Sequence, residues 1–123
     1  MILLSSIYGH KAPEFSIYPG TEVPETPIDY AVNKAGVEQA VRYLAQKYKP
    51  WGMQVNAIAP GFFPTEMTQE YPPAYLESLQ HRVLLGRMGA LEELAATVVF
   101  LASPAAGYMT GQTVVVDGGV TIA

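Results

Sequence analysis

The sequence contains no cysteine. That excludes a disulfide framework and any thiolate-held metal site, and it is compatible with a reducing compartment. Charge is scarce as well, at 15% of residues, and the seven lysines and arginines, spread from Lys11 to Arg87, form no basic run. A net charge of −4 without a basic patch argues against a nucleic-acid partner. Long apolar stretches are missing too: the longest, 97–102, is far too short to cross a bilayer. No basic segment precedes an apolar one at the amino terminus, so no signal peptide is expected and a cytoplasmic setting is the expectation. Histidine is reduced to His10 and His81, far apart and without acidic neighbours at ligand spacing, so no metal site is expected. What remains is a globular composition, half hydrophobic over 123 residues, enough for one domain with a modest core.

Along the chain, short apolar runs alternate with helical patterns. Ile2-Leu3-Leu4, continuing to Ser5, reads as a fully buried strand. Residues 10–27 carry five prolines and glycines and form no regular element, and loops of that length are usually functional or mobile. Thr26-Pro27-Ile28-Asp29 reads as a helix start, with Thr26 as the cap, Pro27 in the first turn and an acid close behind. Val37, Ala40, Val41, Leu44 and Ala45 follow at helical spacing, with Glu38, Gln39, Arg42 and Gln46 assigned to the opposite, solvated face. Pro50-Trp51-Gly52 ends that helix, and Trp51 is expected to pack against its end. Met53–Ala59 reads as a second strand, 72–85 as helix in pieces, Leu91–Leu101 as a helix and Thr113–Val116 as a third strand. Strand, helix, strand, helix, strand with unbroken apolar strands is the pattern of a parallel sheet covered by helices, an α/β fold.

Two residues stand out for chemistry. Tyr30 and Lys34 are four apart at the start of the long helix and so project from one face. A phenol ordinarily exchanges its proton near pH 10, and a neighbouring ammonium favours the phenolate, so such a pair can act as general acid or base. The same spacing also arises between unrelated surface residues. Ser6 follows the first strand, at the end where open α/β sheets gather ligands, and Gly61–Thr65 follows the next strand toward the same crevice. Each alone could be a plain turn.

Together these blocks resemble the short-chain dehydrogenase/reductase family. A serine after one strand, Tyr-x-x-x-Lys on the next helix, and 56–65, Asn-Ala-Ile-Ala-Pro-Gly-Phe-Phe-Pro-Thr, occur in the family's order. The segments 101–104, 107–112 and 116–119 are similar to that family's ending. The resemblance implies a Rossmann-type, doubly wound fold and NAD- or NADP-linked interconversion of carbonyls and alcohols. It implies that Ser6 polarises the substrate oxygen, that Tyr30 transfers the proton, and that Lys34 makes the tyrosine more acidic and binds the nicotinamide ribose. Pro60, Gly61, Phe63 and Thr65 match the segment that holds the nicotinamide carboxamide and nearby phosphate. Ser5 is the second candidate for the serine role, although Ser6 has the family's spacing to Gly9.

Two departures qualify the resemblance. No G-x-x-x-G-x-G occurs anywhere in the chain, and Met1 falls where the family's fifth strand begins. The expectation is therefore a single domain, 1–123, equivalent to the carboxyl-terminal half of such an enzyme and inactive alone because the turn that seats the pyrophosphate is lacking. The alternative is a non-catalytic remnant that serves in interaction or dimerisation, and a homo-oligomer is expected in either case. The stretch from Ser6 to Tyr30 is also longer than in simpler family members. Its Phe15, Tyr18 and Glu22 either line a substrate pocket or form a surface flap. The substrate is expected to be a small carbonyl or alcohol, with polyols and 3-oxoacyl thioesters both open.

Overall fold

The computed structural model describes residues 1–123, the side chains of Met67 and Gln69 excepted. A central strand that is apolar on both faces must be covered on both, and the architecture follows from that requirement. Strand β2, Asn56–Pro60, is buried from Asn56 to Ala59 and lies between β1, Ile2–Leu4, and β3, Thr113–Val116. Both pairings are parallel, with Leu3 opposite Ala57 and Ile58 opposite Val114. Parallel neighbours need crossover connections rather than hairpins. Helix α1, Ile28–Lys47, makes the first crossover; α2, Pro73–Gln80, and α3, Leu91–Ala102, lie in the second.

The period-two alternation of β2 divides the core. Val55 and Ala57 meet Val41 of α1 on one face. Ile58 meets Leu101 of α3 and Ala106 on the other. Asn56 is buried between them and is fully engaged: its amide donates to the Met109 carbonyl at 2.9 Å and its oxygen accepts from the Gln112 N–H at 3.1 Å. Two further clusters lie beyond the carboxyl ends of the strands, one built on Ile17, Tyr18, Val23, Tyr75 and Leu79 and the other on Ile7, Val83 and Val120.

The α/β class, the parallel pairing and the three strands match the sequence reading; several details differ. β1 is not fully buried: Ile2 and Leu3 are half-buried and Leu4 is 58% exposed, because β1 is the edge of the sheet. The second strand starts at Asn56 rather than Met53, since the backbone of 54–55 bonds to the amino terminus, to Thr110 and to Gly111. Thr26 does not cap α1. Its hydroxyl bonds the Tyr18 phenol at 2.8 Å, and Pro27 stands at the cap position. Trp51 meets Tyr48 edge-on but is 71% exposed, so it contributes little to the core. Glu38, assigned to the solvated face, is buried. Among the described residues no helix is long and apolar enough to cross a membrane, and no cluster of His, Asp and Glu could hold a metal.

The division of the core predicts unequal costs for truncation. Ile58→Ala empties a site that is 1% exposed and should lose about 2–5 kcal/mol, whereas Leu4→Ala on the open edge should lose less than about 1 kcal/mol. Urea denaturation of the two variants checks this, and equal losses would contradict the assignment of β1 as an open edge.

Candidate active site

The site is built around the carboxyl end of β1. The Ser5 N–H continues the ladder by donating to the Ile58 carbonyl at 2.8 Å. Because side chains alternate along an extended chain, Ser5 and Ser6 point to opposite sides. The Ser5 hydroxyl reaches back to α1, 3.1 Å from the Lys34 carbonyl and 3.3 Å from the Glu38 carboxylate. His10 Nδ1 lies 3.0 Å from the same Glu38 oxygen. Gly9 lets these groups close up, for a Cβ there would stand 2.9 Å from both Glu38 Oε1 and Ser5 Oγ. The knot seats α1 on β1 one turn beyond Lys34, and Lys34 Nζ donates to the Leu4 carbonyl at 3.0 Å.

Ser6 points the other way, into a cleft of about 390 Å³. It starts the 3-10 turn Ile7–Gly9, and its oxygen accepts from the Tyr8 N–H at 3.2 Å, which leaves the hydroxyl proton free to donate into the cleft. Tyr30, in the first turn of α1 and 41% exposed, lines the same cleft. Lys34 Nζ stands 5.5 Å from the Tyr30 ring centre. Gly61, Phe63 and Thr65 enter from the end of β2, where the Gly61 N–H donates to Val116 at 2.9 Å. Gly61 comes so close to β3 that a Cβ on it would stand 2.7 Å from the Asp117 Cα. Ser6, Tyr30 and Gly61–Thr65 are thus brought to one cleft, with Lys34 behind Tyr30. Pro60 stays within β2, and Ser5 serves the helix rather than the cleft.

The opposite wall combines the loop that the sequence offered as a pocket lining with residues it did not single out. Tyr8, Tyr71 and Tyr75 line it, together with Tyr18 and Pro24–Pro27 from the long loop. Tyr75 stacks obliquely on Tyr18 at 6.1 Å and meets Tyr71 edge-on at 5.4 Å. Burial pushes the Tyr8 and Tyr75 phenols well above the usual range, and the adjacent Tyr18 phenol adds to the shift, so both are neutral hydrogen-bonding groups. Of the loop residues singled out from the sequence, Tyr18 faces the cleft. Phe15 lines a separate recess with Ala12 and Pro13, and Glu22 is exposed. Tyr71 lies just ahead of α2 in extended backbone and Tyr75 in its first turn, so no helical spacing in the sequence pointed to this pair.

An exposed clamp ties the two halves of that wall. Arg82, just beyond α2, donates from Nε and Nη2 to the two Glu14 oxygens at 2.8 and 3.0 Å, and from Nη1 to the Ser78 carbonyl. Those Arg82 hydrogen bonds, and then one from Ser16, hold the Glu14 carboxyl down to about 2. Beyond β3, burial raises the Asp117 carboxyl, but the N–H groups of Gly119 and Thr121 more than offset this and hold it below its ordinary value.

A nicotinamide cofactor, implied by the resemblance, can be tested against the donors present. Lys34 uses one of its three N–H groups on Leu4, and the Tyr30 hydroxyl has no partner among the described hydrogen bonds. The Phe63 N–H likewise donates to no described acceptor. These spare donors suit a ribose diol and a carboxamide, so the residues fit the nicotinamide end. The donor set of the cleft can orient a carbonyl through Ser6 and deliver a proton from Tyr30 to the same oxygen.

Comparisons with known proteins bear on the fold and the family. A family profile described as Enoyl-(Acyl carrier protein) reductase matches residues 15–121. The chain is 49% identical over 92 residues to the 3-oxoacyl-[acyl-carrier-protein] reductase FabG of Pseudomonas aeruginosa, covering 75% of this chain and 37% of that protein. It is 42% identical over 101 residues to galactitol 2-dehydrogenase (L-tagatose-forming) of Cereibacter sphaeroides, covering 80% and 40%. Among solved structures, the short chain dehydrogenase of Leptospira borgpetersenii with bound NAD+ superposes with a TM-score of 0.84 at 34% identity, covering 98% of this chain and 44% of that one. The RhlG/NADP complex of Pseudomonas aeruginosa gives 0.83 at 34%, with the same coverage. The chain therefore spans well under half the length of these proteins.

The clamp has a pH signature. With its carboxyl depressed in the folded state, Glu14 contributes fully above the ordinary value of 4.5, and that contribution is lost as pH falls toward about 2. Glu14→Gln should lower the thermal midpoint at neutral pH and lose less on acidification through that window. Parallel pH profiles for the variant and the parent chain would show the clamp to be inert.

Proposed function

The chain belongs to the short-chain dehydrogenase/reductase family, and from that premise we propose that residues 1–123 carry the substrate side of an NAD(P)-linked oxidoreductase that interconverts a carbonyl and an alcohol. The observation that supports this most is the meeting of Ser6, Tyr30 and Gly61–Thr65 on one cleft with Lys34 behind the phenol. In this reading the chain is one domain, the carboxyl-terminal half of the family's fold, and 10–27 is an extended active-site loop. The substrate is a small carbonyl or alcohol, and the setting is cytoplasmic, where reduced nicotinamides are supplied.

NADH or NADPH, when bound, supplies the hydride. In the reductive direction Ser6 donates a hydrogen bond to the carbonyl oxygen and fixes its position. Tyr30 gives its proton to that oxygen as negative charge develops there. Lys34, tied to β1 through Leu4, keeps a positive charge beside the phenol while the proton leaves, and its spare N–H groups are available to a ribose diol. The Phe63 N–H is available to the carboxamide, with Pro60, Gly61 and Thr65 shaping the loop around it.

Hydride transfer needs the cofactor held at near-attack distance, and this chain has no glycine-rich turn to grip the pyrophosphate. Residues 1–123 alone should therefore show no NAD(P)-dependent turnover. Joined in frame to the amino-terminal half of a relative that carries that turn, they should show it. Tyr30→Phe in the joined protein should lower the rate by about 10²–10⁴-fold. Turnover by the isolated chain, abolished by Tyr30→Phe, would show that half the fold suffices.

A second reading, a dimerisation module without catalysis, is favoured by the exposed apolar surface. Leu4 lies on the open edge of the sheet, and Val99 of α3 is 68% exposed. An unpaired apolar edge is a template for self-association. In either reading the chain is a homo-oligomer or aggregates, and sedimentation velocity should find no clean monomer at high concentration.

A further inference from the structure

Building on the proposed function, we infer that the substrate is a compact, uncharged ring-bearing ketone or secondary alcohol, and that anionic substrates are rejected. The composition of the cleft carries this. Its hydroxyl groups belong to uncharged side chains: the phenols of Tyr8, Tyr18, Tyr30, Tyr71 and Tyr75, and the alcohols of Ser6, Thr26, Thr65 and Thr68. No lysine, arginine or histidine is among its described lining residues, and the one formal charge there is the exposed carboxylate of Glu25.

The nearby cations are committed elsewhere. Arg82 lies in an adjoining recess, with two nitrogens on Glu14 and a third on Ser78. Lys11 donates to the Val120 carbonyl, and Lys34 is tied to Leu4 behind Tyr30. A carboxylate or phosphate on the body of the substrate would give up water for a wall with no cation and would face Glu25. Burial of an unpaired charge is among the most costly changes a binding site can make.

Size and shape narrow the class. The cleft of about 390 Å³ includes the space beside Gly61, Phe63 and Thr65 that a nicotinamide would take, so what is left suits a compact molecule. The wall opposite Ser6 consists of aromatic rings with Phe62, Leu79 and Met88 between them. Aromatic groups gain most from flat or ring-shaped partners through stacked and edge contacts. A ring also avoids the rotamer entropy that a flexible acyl chain loses on binding.

The test uses a matched pair of ketones and the 123-residue chain without cofactor. Ligand-observed NMR titrations would compare 4-phenylcyclohexanone with 4-(4-oxocyclohexyl)benzoate, which adds only a carboxylate. The neutral ketone should bind at least about tenfold more tightly, the benzoate meeting a wall without cations. Glu25→Lys should narrow the gap by improving the benzoate. Equal or tighter binding of the benzoate overturns the inference, as does failure of both ketones to compete for the cleft. Because no cofactor is present, such a failure leaves the proposed hydride chemistry standing. Conversely, a joined protein that binds the neutral ketone but never reduces it would refute that chemistry while leaving the ligand class intact.

Discussion

The carboxylate of Glu38 is the group on which the site depends. A carboxyl group withdrawn from water is costly unless it finds hydrogen-bond partners, and here the Ser5 hydroxyl and His10 both reach its Oε1 at the junction of β1 and α1. Satisfying it requires α1 to lie against the end of β1 at one axial position. That position sets where Lys34 finds the Leu4 carbonyl, and therefore where Tyr30, one turn earlier, presents its hydroxyl. Ser5 enforces the arrangement from the strand side, and in pointing toward α1 it leaves Ser6 pointing into the cleft. One buried ion thus does for the geometry what a large apolar contact does elsewhere in the chain.

Much of this was legible in the sequence, and the exceptions share a cause. Apolar runs at Ile2–Leu4 and Thr113–Val116, the helical period around Val41 and the helix from Leu91 are local signals, and all four elements formed where their patterns lay. Tyr30, Lys34 and Ser6 were recognisable because their spacing follows from one helix turn and one strand end. Glu38 was not. A glutamate four residues beyond a lysine on a polar helix face has the pattern of solvent exposure, and its burial depends on Ser5 and His10, 33 and 28 positions away. Thr26 misled for a related reason: it has the chemistry of a cap, but the Tyr18 phenol captured it. The early start assigned to β2 failed because Val55 is fully buried yet bonds to Thr110 and Gly111 instead of a strand neighbour.

The tyrosine wall illustrates how a loop rich in proline can still be ordered. Ile17 and Val23 anchor it to Leu79 and Tyr75 of α2, so it has a small apolar core of its own. Tyr18 is the link: its ring joins that core, and its hydroxyl fastens the loop to Thr26 just ahead of α1. Burial also raises the Tyr8 and Tyr75 phenols, so both stay protonated across the range in which enzymes ordinarily work.

The Arg82–Glu14 pair joins two segments that are remote in the chain, the proline-rich loop and the end of α2. A planar guanidinium holding two carboxylate oxygens fixes orientation as well as distance. An exposed pair of this kind adds little to overall stability. It nevertheless links the two segments that carry Tyr18 and Tyr75, so the register of those two rings is set from the outer surface as well as from within the cleft.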